Sequence, residues 1–372
     1  MFAQSIRMGR ILGIPIGVNY SWFIIFALIT MSLATHFAGL HPHWTYAEHL
    51  SLGVATSILF FASVVLHELG HSVLALRYGI PVKSITLFVF GGVAQIGKEP
   101  TKPIHEFNIA FAGPIVSAGL GVFFYGVMLL ARETAEGIAA LAEWLSRINF
   151  LLAAFNLIPG FPLDGGRVLR SIIWKYTGSF ERATALAAGS GQLFAYAFIM
   201  FGVWQALSGN LIGGLWIAFI GWFLLSAAQS TVLQAGIRSA MSGTTAREVM
   251  TSEYLSVSGS ASVADLVENH FLRTGARCAM VMDDDRIRGL VTVHEIKRVP
   301  REEWSRTPLQ SVMLGEDRLT CVLPDASVEN VLETMSEKNI NQMPVVQDGR
   351  LLGVVGRDRL LALIRTRLEF KT

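Results

Sequence analysis

The stretch 64-VVLHELGHSVLAL-76 places His67, Glu68 and His71 inside an otherwise apolar run. Ionisable groups within an apolar, span-length helix are expensive and mark function. His67 and His71 are spaced i and i+4, so both project from one helix face. The pattern H-E-x-x-H has a stated chemistry: two neutral imidazoles bind zinc, and the glutamate acts as general base on zinc-bound water. A lone histidine here would read as a satisfied core group; three groups at metal spacing, with Gly70 leaving packing room, point to a metal.

Composition agrees with a membrane setting. Of 372 residues, 52% are hydrophobic and 16% charged, with a mean hydropathy of +0.48; soluble domains average about 25% charged. The net charge of +2 gives no reason to expect a nucleic acid partner. The two cysteines, Cys278 and Cys321, form no disulfide framework and suit a reducing compartment. Arg7 and Arg10 precede a run long enough to span, which reads as a retained first helix.

The chain has two unlike halves, divided near residue 236. Six apolar runs, at roughly 17–35, 51–76, 106–131, 141–160, 186–207 and 211–230, approach the ~20 residues a spanning helix needs. The fourth is weakest, interrupted by Asn149 and Asn156 and ended by Pro159. Lys and Arg gather on one side of these spans; Arg132 and Arg147 alone fall on the other. The positive-inside rule then puts both termini in the cytoplasm of an integral inner- or plasma-membrane protein. In the segment 78–104, Ile85, Leu87 and Val89 alternate with Thr86, Phe88 and Phe90, and Gly91-Gly92 punctuates the run. It reads as a short hairpin at membrane depth, possible only where its backbone is buried or paired.

A catalytic zinc takes three protein ligands and leaves one position open. The candidate third is Asp164, in 156-NLIPGFPLDGGRVLR-170. Asp164 alone would read as a helix N-cap. However, Pro159 and Pro162 break the chain at membrane depth, where irregular backbone lines a site.

HELGH in a span, FGGVA after it, AGP in the third span and NLIPGFPLDGGR later together resemble the site-2 protease family of intramembrane zinc metalloproteases. The resemblance covers about residues 1–235. It implies that His67, His71 and Asp164 are zinc ligands and that Glu68 is the catalytic base. It also implies Asn156 at the active site and a six-span core. The implied reaction is cleavage of a transmembrane substrate, such as a membrane-bound anti-sigma or pro-sigma factor. The hairpin, including Gly91 and Gly92, is the candidate substrate contact, since an exposed strand edge can capture an unwound segment by β-addition. Ser117 stands about where the family often has an asparagine, and no catalytic role is assigned to it. His36, His41, His43 and His49 cluster around the outer loop; they read as solvated interface residues in preference to a second metal site.

Residues 246–372 carry an internal repeat. The segments 278-CAMVMDDDRIRGLVTVHEI-296 and 342-QMPVVQDGRLLGVVGRDRL-360 each read as strand, turn, strand and helix start, preceded by 261-ASVADLVENHFLRTG-275 and 326-ASVENVLETMSEKNI-340. This resembles a tandem pair of cystathionine-β-synthase-type (CBS) domains, about 246–300 and 307–366, after a linker at 236–245. Such a pair implies adenine nucleotide binding, with Gly356 and Asp358 at the site, or a role in homodimerisation. The first copy departs from the pattern, having His294 where the second has Asp358.

The fold class read from the sequence is therefore a polytopic α-helical membrane protein with about six spans and a short membrane-embedded β-hairpin, followed by an α+β CBS pair. The function that the resemblance implies is that of an intramembrane zinc endopeptidase, with activity tuned by nucleotide binding to its CBS pair. A CBS-regulated transporter or channel is the alternative, which HELGH with PLDGG disfavours because transport needs no hydrolytic base.

Overall fold

In the computed structural model, which describes residues 5–89, 91–283 and 286–370, the chain divides into two compact units, 1–233 and 234–372. Phe90 of the expected strand and Asp284 and Asp285 of the first acidic turn lie outside the described residues.

The first unit holds α1 (Tyr20–Leu40), α2 (Tyr46–Arg77), α3 (Pro103–Ala131), α4 (Glu136–Asn156), α5 (Asp164–Thr177) and α6 (Phe180–Leu207), and most of α7 (Leu211–Met241). All but α5 are long and apolar enough to cross a membrane, which gives, among the described residues, the six candidate spans expected. Their outward faces carry exposed Leu130, Leu193, Met200 and Ile212, side chains that suit lipid and not water. At about 1.5 Å per residue, the 32 residues of α2 extend well past a ~30 Å hydrocarbon core.

The hairpin expected at 85–96 is β3 (Val82–Phe88) and β4 (Gly91–Ile96). It is only half of the sheet. The first residues, read in the sequence as leading straight into a helix, form β1 (Ser5–Ile11) and β2 (Ile14–Asn19), and the order is β1-β2-β3-β4. Leu12 and Gly13 close the first hairpin with both φ angles positive (52° and 81°), as a two-residue turn matching strand twist requires. β2 pairs with β3 in parallel, Ile16 opposite Ile85 and Val18 opposite Leu87. β3 is thus interior, and β4 is the edge strand at this end. Ile14, Ile16 and Ile85 bury against Leu69, and Val18 and Leu87 against Phe61 and Val64, so the sheet lies on α2 beside HELGH.

In the second unit both repeats fold alike. β5 (Ser256–Ser258), β6 (Cys278–Asp283), β7 (Arg286–Thr292), β8 (Leu314–Gly315), β9 (Gln342–Gln347) and β10 (Arg350–Gly356) make one sheet, ordered β5-β6-β7-β10-β9 with β8 on β7. The repeats exchange their opening segments. Ala246 and Val249 bury in the core of the second copy with Val331, Met343 and Val355, while Leu309 buries in that of the first with Ala279, Val281 and Val291. Residues 236–241, read in the sequence as linker, are the last turns of α7; Met241 and Ile237 pack into the core of the second copy. Cys278 and Cys321 are free thiols, and burial pushes that of Cys278 up to about 11, the behaviour of a packed sulfur.

Candidate metal centre and nucleotide cleft

Three elements bring the polar groups of the membrane half together. α2 supplies His67 and His71 from one face, and α5 supplies Asp164 as its first residue. His67 Nε2 and His71 Nε2 each lie 3.1 Å from Asp164 Oδ2, and 3.2 Å from each other. The side chains are 5%, 4% and 13% exposed, so little water competes for them.

The opposite ring nitrogens show which atoms are free. His71 Nδ1 is 2.6 Å from the Ile109 carbonyl. A carbonyl only accepts, so Nδ1 carries the proton and Nε2 presents a lone pair. His67 Nδ1 is 2.9 Å from Ser117 Oγ, which orients its ring; with the hydroxyl accepting, Nε2 of His67 presents a lone pair as well. Both orienting partners stand on α3. Two lone pairs and a carboxylate oxygen at this spacing repel unless a proton or cation lies among them. Ligands about 2.0–2.1 Å from a tetrahedral zinc sit about 3.3 Å apart, which the observed separations approach. Gly113 on α3 keeps the space open: a Cβ there would lie 2.2 Å from His71 Nε2 and 2.7 Å from His67 Nε2. The residues present therefore fit zinc.

Glu68 turns from the same helix to the sheet. Its Oε2 accepts from the backbone N–H of Ala94 on β4, at 3.2 Å. Gly92 packs directly on it, since a Cβ there would lie 2.8 Å from Glu68 Cγ. Gly91 opens β4 with φ 123°, a conformation that favours glycine. Asn156 is the last residue of α4, half-buried, at the entry to the loop that leads to Asp164.

That loop folds tightly. Cβ atoms at Gly165 and Gly166 would meet the backbone of Leu157 and Gly160 at 2.4 Å, so the Gly-Gly pair lets the chain double back and present Asp164. α5 is then tied to α3 by a buried ion pair between Arg170 and Glu106, whose side chains are 7% and 0% exposed. The Arg170 guanidinium also stacks on Phe161 and Phe180, 4.9 Å and 4.5 Å from their ring centres. Neither Ser117 nor the Glu106–Arg170 pair was assigned from the sequence. Ser117 had its place after Gly-Pro as a signal; the ion pair joins residues 64 apart and left none.

With this geometry in view, the likeness to known proteins can be stated. A family model described as "Peptidase family M50" matches residues 55–134 and 127–201, and a CBS domain model matches 246–302 and 314–366. A Synechocystis protein named "Putative zinc metalloprotease sll0528" is 35% identical over 368 residues, covering 98% of this chain and 96% of its own. The chain belongs to peptidase family M50. "Zinc metalloprotease MJ0392" from Methanocaldococcus jannaschii is 28% identical over 370 residues, 99% of each chain. The solved site-2 protease from that organism is 33% identical, covers 62% of this chain and 95% of its own, and superposes with a TM-score of 0.43. This M50 chain is a membrane-spanning zinc metalloprotease joined to a CBS pair.

In the CBS pair of this M50 protease, a cleft of about 570 Å³ is lined by Gly356, Asp358, Arg357, Thr292, His294 and Arg277 among others. The two residues assigned from the second repeat thus share one cleft with their counterparts from the first. Glu295 is committed elsewhere, in a capping box that binds the Thr292 backbone N–H at 3.1 Å, and His294 contacts Arg298 Nη2 at 3.0 Å.

Proposed function

We propose that this M50 protease hydrolyses a peptide bond within the membrane, in a transmembrane segment of its substrate. The observation that carries the reading is the convergence of His67, His71 and Asp164 beside a glutamate hydrogen-bonded to the edge strand β4. His67, His71 and Asp164 hold zinc. Zinc, when bound, supplies a Lewis acid that polarises the scissile carbonyl and lowers the pKa of water. Glu68 takes the water proton on a carboxylate oxygen, while Ala94 N–H fixes its other oxygen, and passes the proton to the departing amide nitrogen. The unwound substrate adds as a strand to β4, with Gly91 and Gly92 allowing its backbone close and Asn156 binding it on the α4 side. Both termini lie in the cytoplasm, and membrane-bound anti-sigma or pro-sigma factors are the substrate class.

To test this, wild type and Glu68→Gln are purified, zinc is measured, and cleavage of a transmembrane substrate is assayed. Both should hold the same amount of zinc, at least about one per chain, with cleavage by the variant reduced about 10²- to 10⁴-fold. Equal cleavage overturns Glu68 as base, and metal-free wild type overturns the ligand set.

The CBS cleft binds an adenine nucleotide, with Asp358 on the ribose hydroxyls, and the resulting change in the pair alters proteolysis. ATP or AMP should change the cleavage rate of wild type and leave Asp358→Ala unaffected. Nucleotide binding with no rate change would leave the pair a scaffold for homodimerisation.

A further inference from the structure

A second group of metal-ligating side chains lies at the other end of the spans. α1 and α2 are joined by residues 41–45 alone. This turn is pinned at both ends. The His41 N–H donates to Phe37 O at 2.8 Å, and Thr45 forms a capping box with Glu48. Within the turn, Trp44 N donates to His41 O at 3.1 Å, and His49 Nε2 reaches the same carbonyl at 3.0 Å. The His41 ring stacks flat on Trp44, 4.0 Å between centroids at 7°. Backbone and ring of His41 are therefore held before any ligand arrives.

Glu136, the first residue of α4, faces this turn. Its Oε1 lies 2.8 Å from His41 Nδ1 and its Oε2 3.2 Å from His43 Nε2. One ligand atom from each of the three residues lies within 4.8 Å of the others. The sequence reading ranks a second metal site among the outer-loop histidines below solvated interface residues, and names no carboxylate to complete one. The fold instead brings two of them onto one carboxylate 93 and 95 residues away.

From this geometry we infer a second metal site, formed by His41, His43 and Glu136, for a divalent transition ion such as zinc, cobalt or nickel. Two imidazoles favour these ions over calcium or magnesium, which prefer oxygen ligands. His49 is not a ligand through Nε2, which donates to a carbonyl. Three protein ligands leave a position open to solvent, and exposure makes the site weaker than the buried one. A bound ion would tie the α1–α2 turn to the start of α4.

The test uses the full chain in detergent, stripped by chelation and titrated with Co²⁺, read by visible absorption and by bound metal after dialysis. Wild type is expected to bind one ion per chain more than His43→Ala or Glu136→Gln, with affinity at the outer site weakened at least about tenfold in each variant. Equal counts in wild type and variants overturn the site, whether the shared value is one or two. Because the readout is a difference, failure of the buried centre lowers all counts together and leaves the comparison intact. On wild type alone, Zn²⁺ should protect His43 from diethyl pyrocarbonate, read by mass spectrometry; unchanged modification at saturating Zn²⁺ also overturns the proposal.

Discussion

The membrane half holds two clusters with the same chemical inventory, two histidines and one carboxylate, in opposite surroundings. At His67, His71 and Asp164 the side chains are at most 13% exposed, and each imidazole is oriented by a partner on α3. At His41, His43 and Glu136, His43 and Glu136 are 63% and 53% exposed, and the orienting contacts come from the turn itself. On the proposed function, ligand identity alone would not make a reaction centre. What separates the two is exclusion of water, a second helix that fixes the rings, and the use of the further carboxylate: Glu68 turns to the edge strand β4, whereas Glu48, near the outer cluster, closes the capping box with Thr45.

The sharpest way to break this comparison is Gly113→Ala. The added methyl falls where the two Nε2 atoms converge, so bound zinc and cleavage should be lost together. Retained zinc would show that α3 does not shape the centre. Next comes the buried ion pair. Arg170→Met leaves Glu106 uncompensated, at a cost of about 3–5 kcal/mol, measured by denaturation in detergent. Removing Arg147 from its exposed partner Glu143 should cost about 0.3–0.5 kcal/mol; equal losses would remove burial as the distinguishing term. Ser117→Ala is the mildest. It removes only the orienting partner of His67, and zinc affinity by chelator competition should fall about 10- to 100-fold. An unchanged affinity would mean that packing alone holds the ring.

These groups differ in how far the sequence exposed them. HELGH was legible because its spacing is local and its setting so apolar. The spans were legible because lipid imposes length and composition together. Asp164 needed more: two prolines and a Gly-Gly pair marked an irregular loop, and the family resemblance linked it to the histidines. Ser117 was placed but not understood, since its value lies in facing His67 from another helix. Glu106 and Arg170 carried no signal, because a charged pair is recognisable as buried only after both helices are packed. The β1–β2 hairpin was missed for a different reason. Its turn is Leu12-Gly13 without the Asn-Gly or Asp-Gly that announces such hairpins, and strand and following helix read as one apolar run.

That overlooked hairpin also bears on how the molecule is made. β2 is synthesised before α1 and α2, yet its partner β3 follows both. β2 must therefore wait, paired with β1 alone, while two helices enter the bilayer, and only then can the sheet that carries β4 close. Completion of the sheet beside Glu68 is thus tied to correct insertion of the first two spans, so a chain whose first helical pair fails to enter the membrane cannot finish assembling this side of its centre.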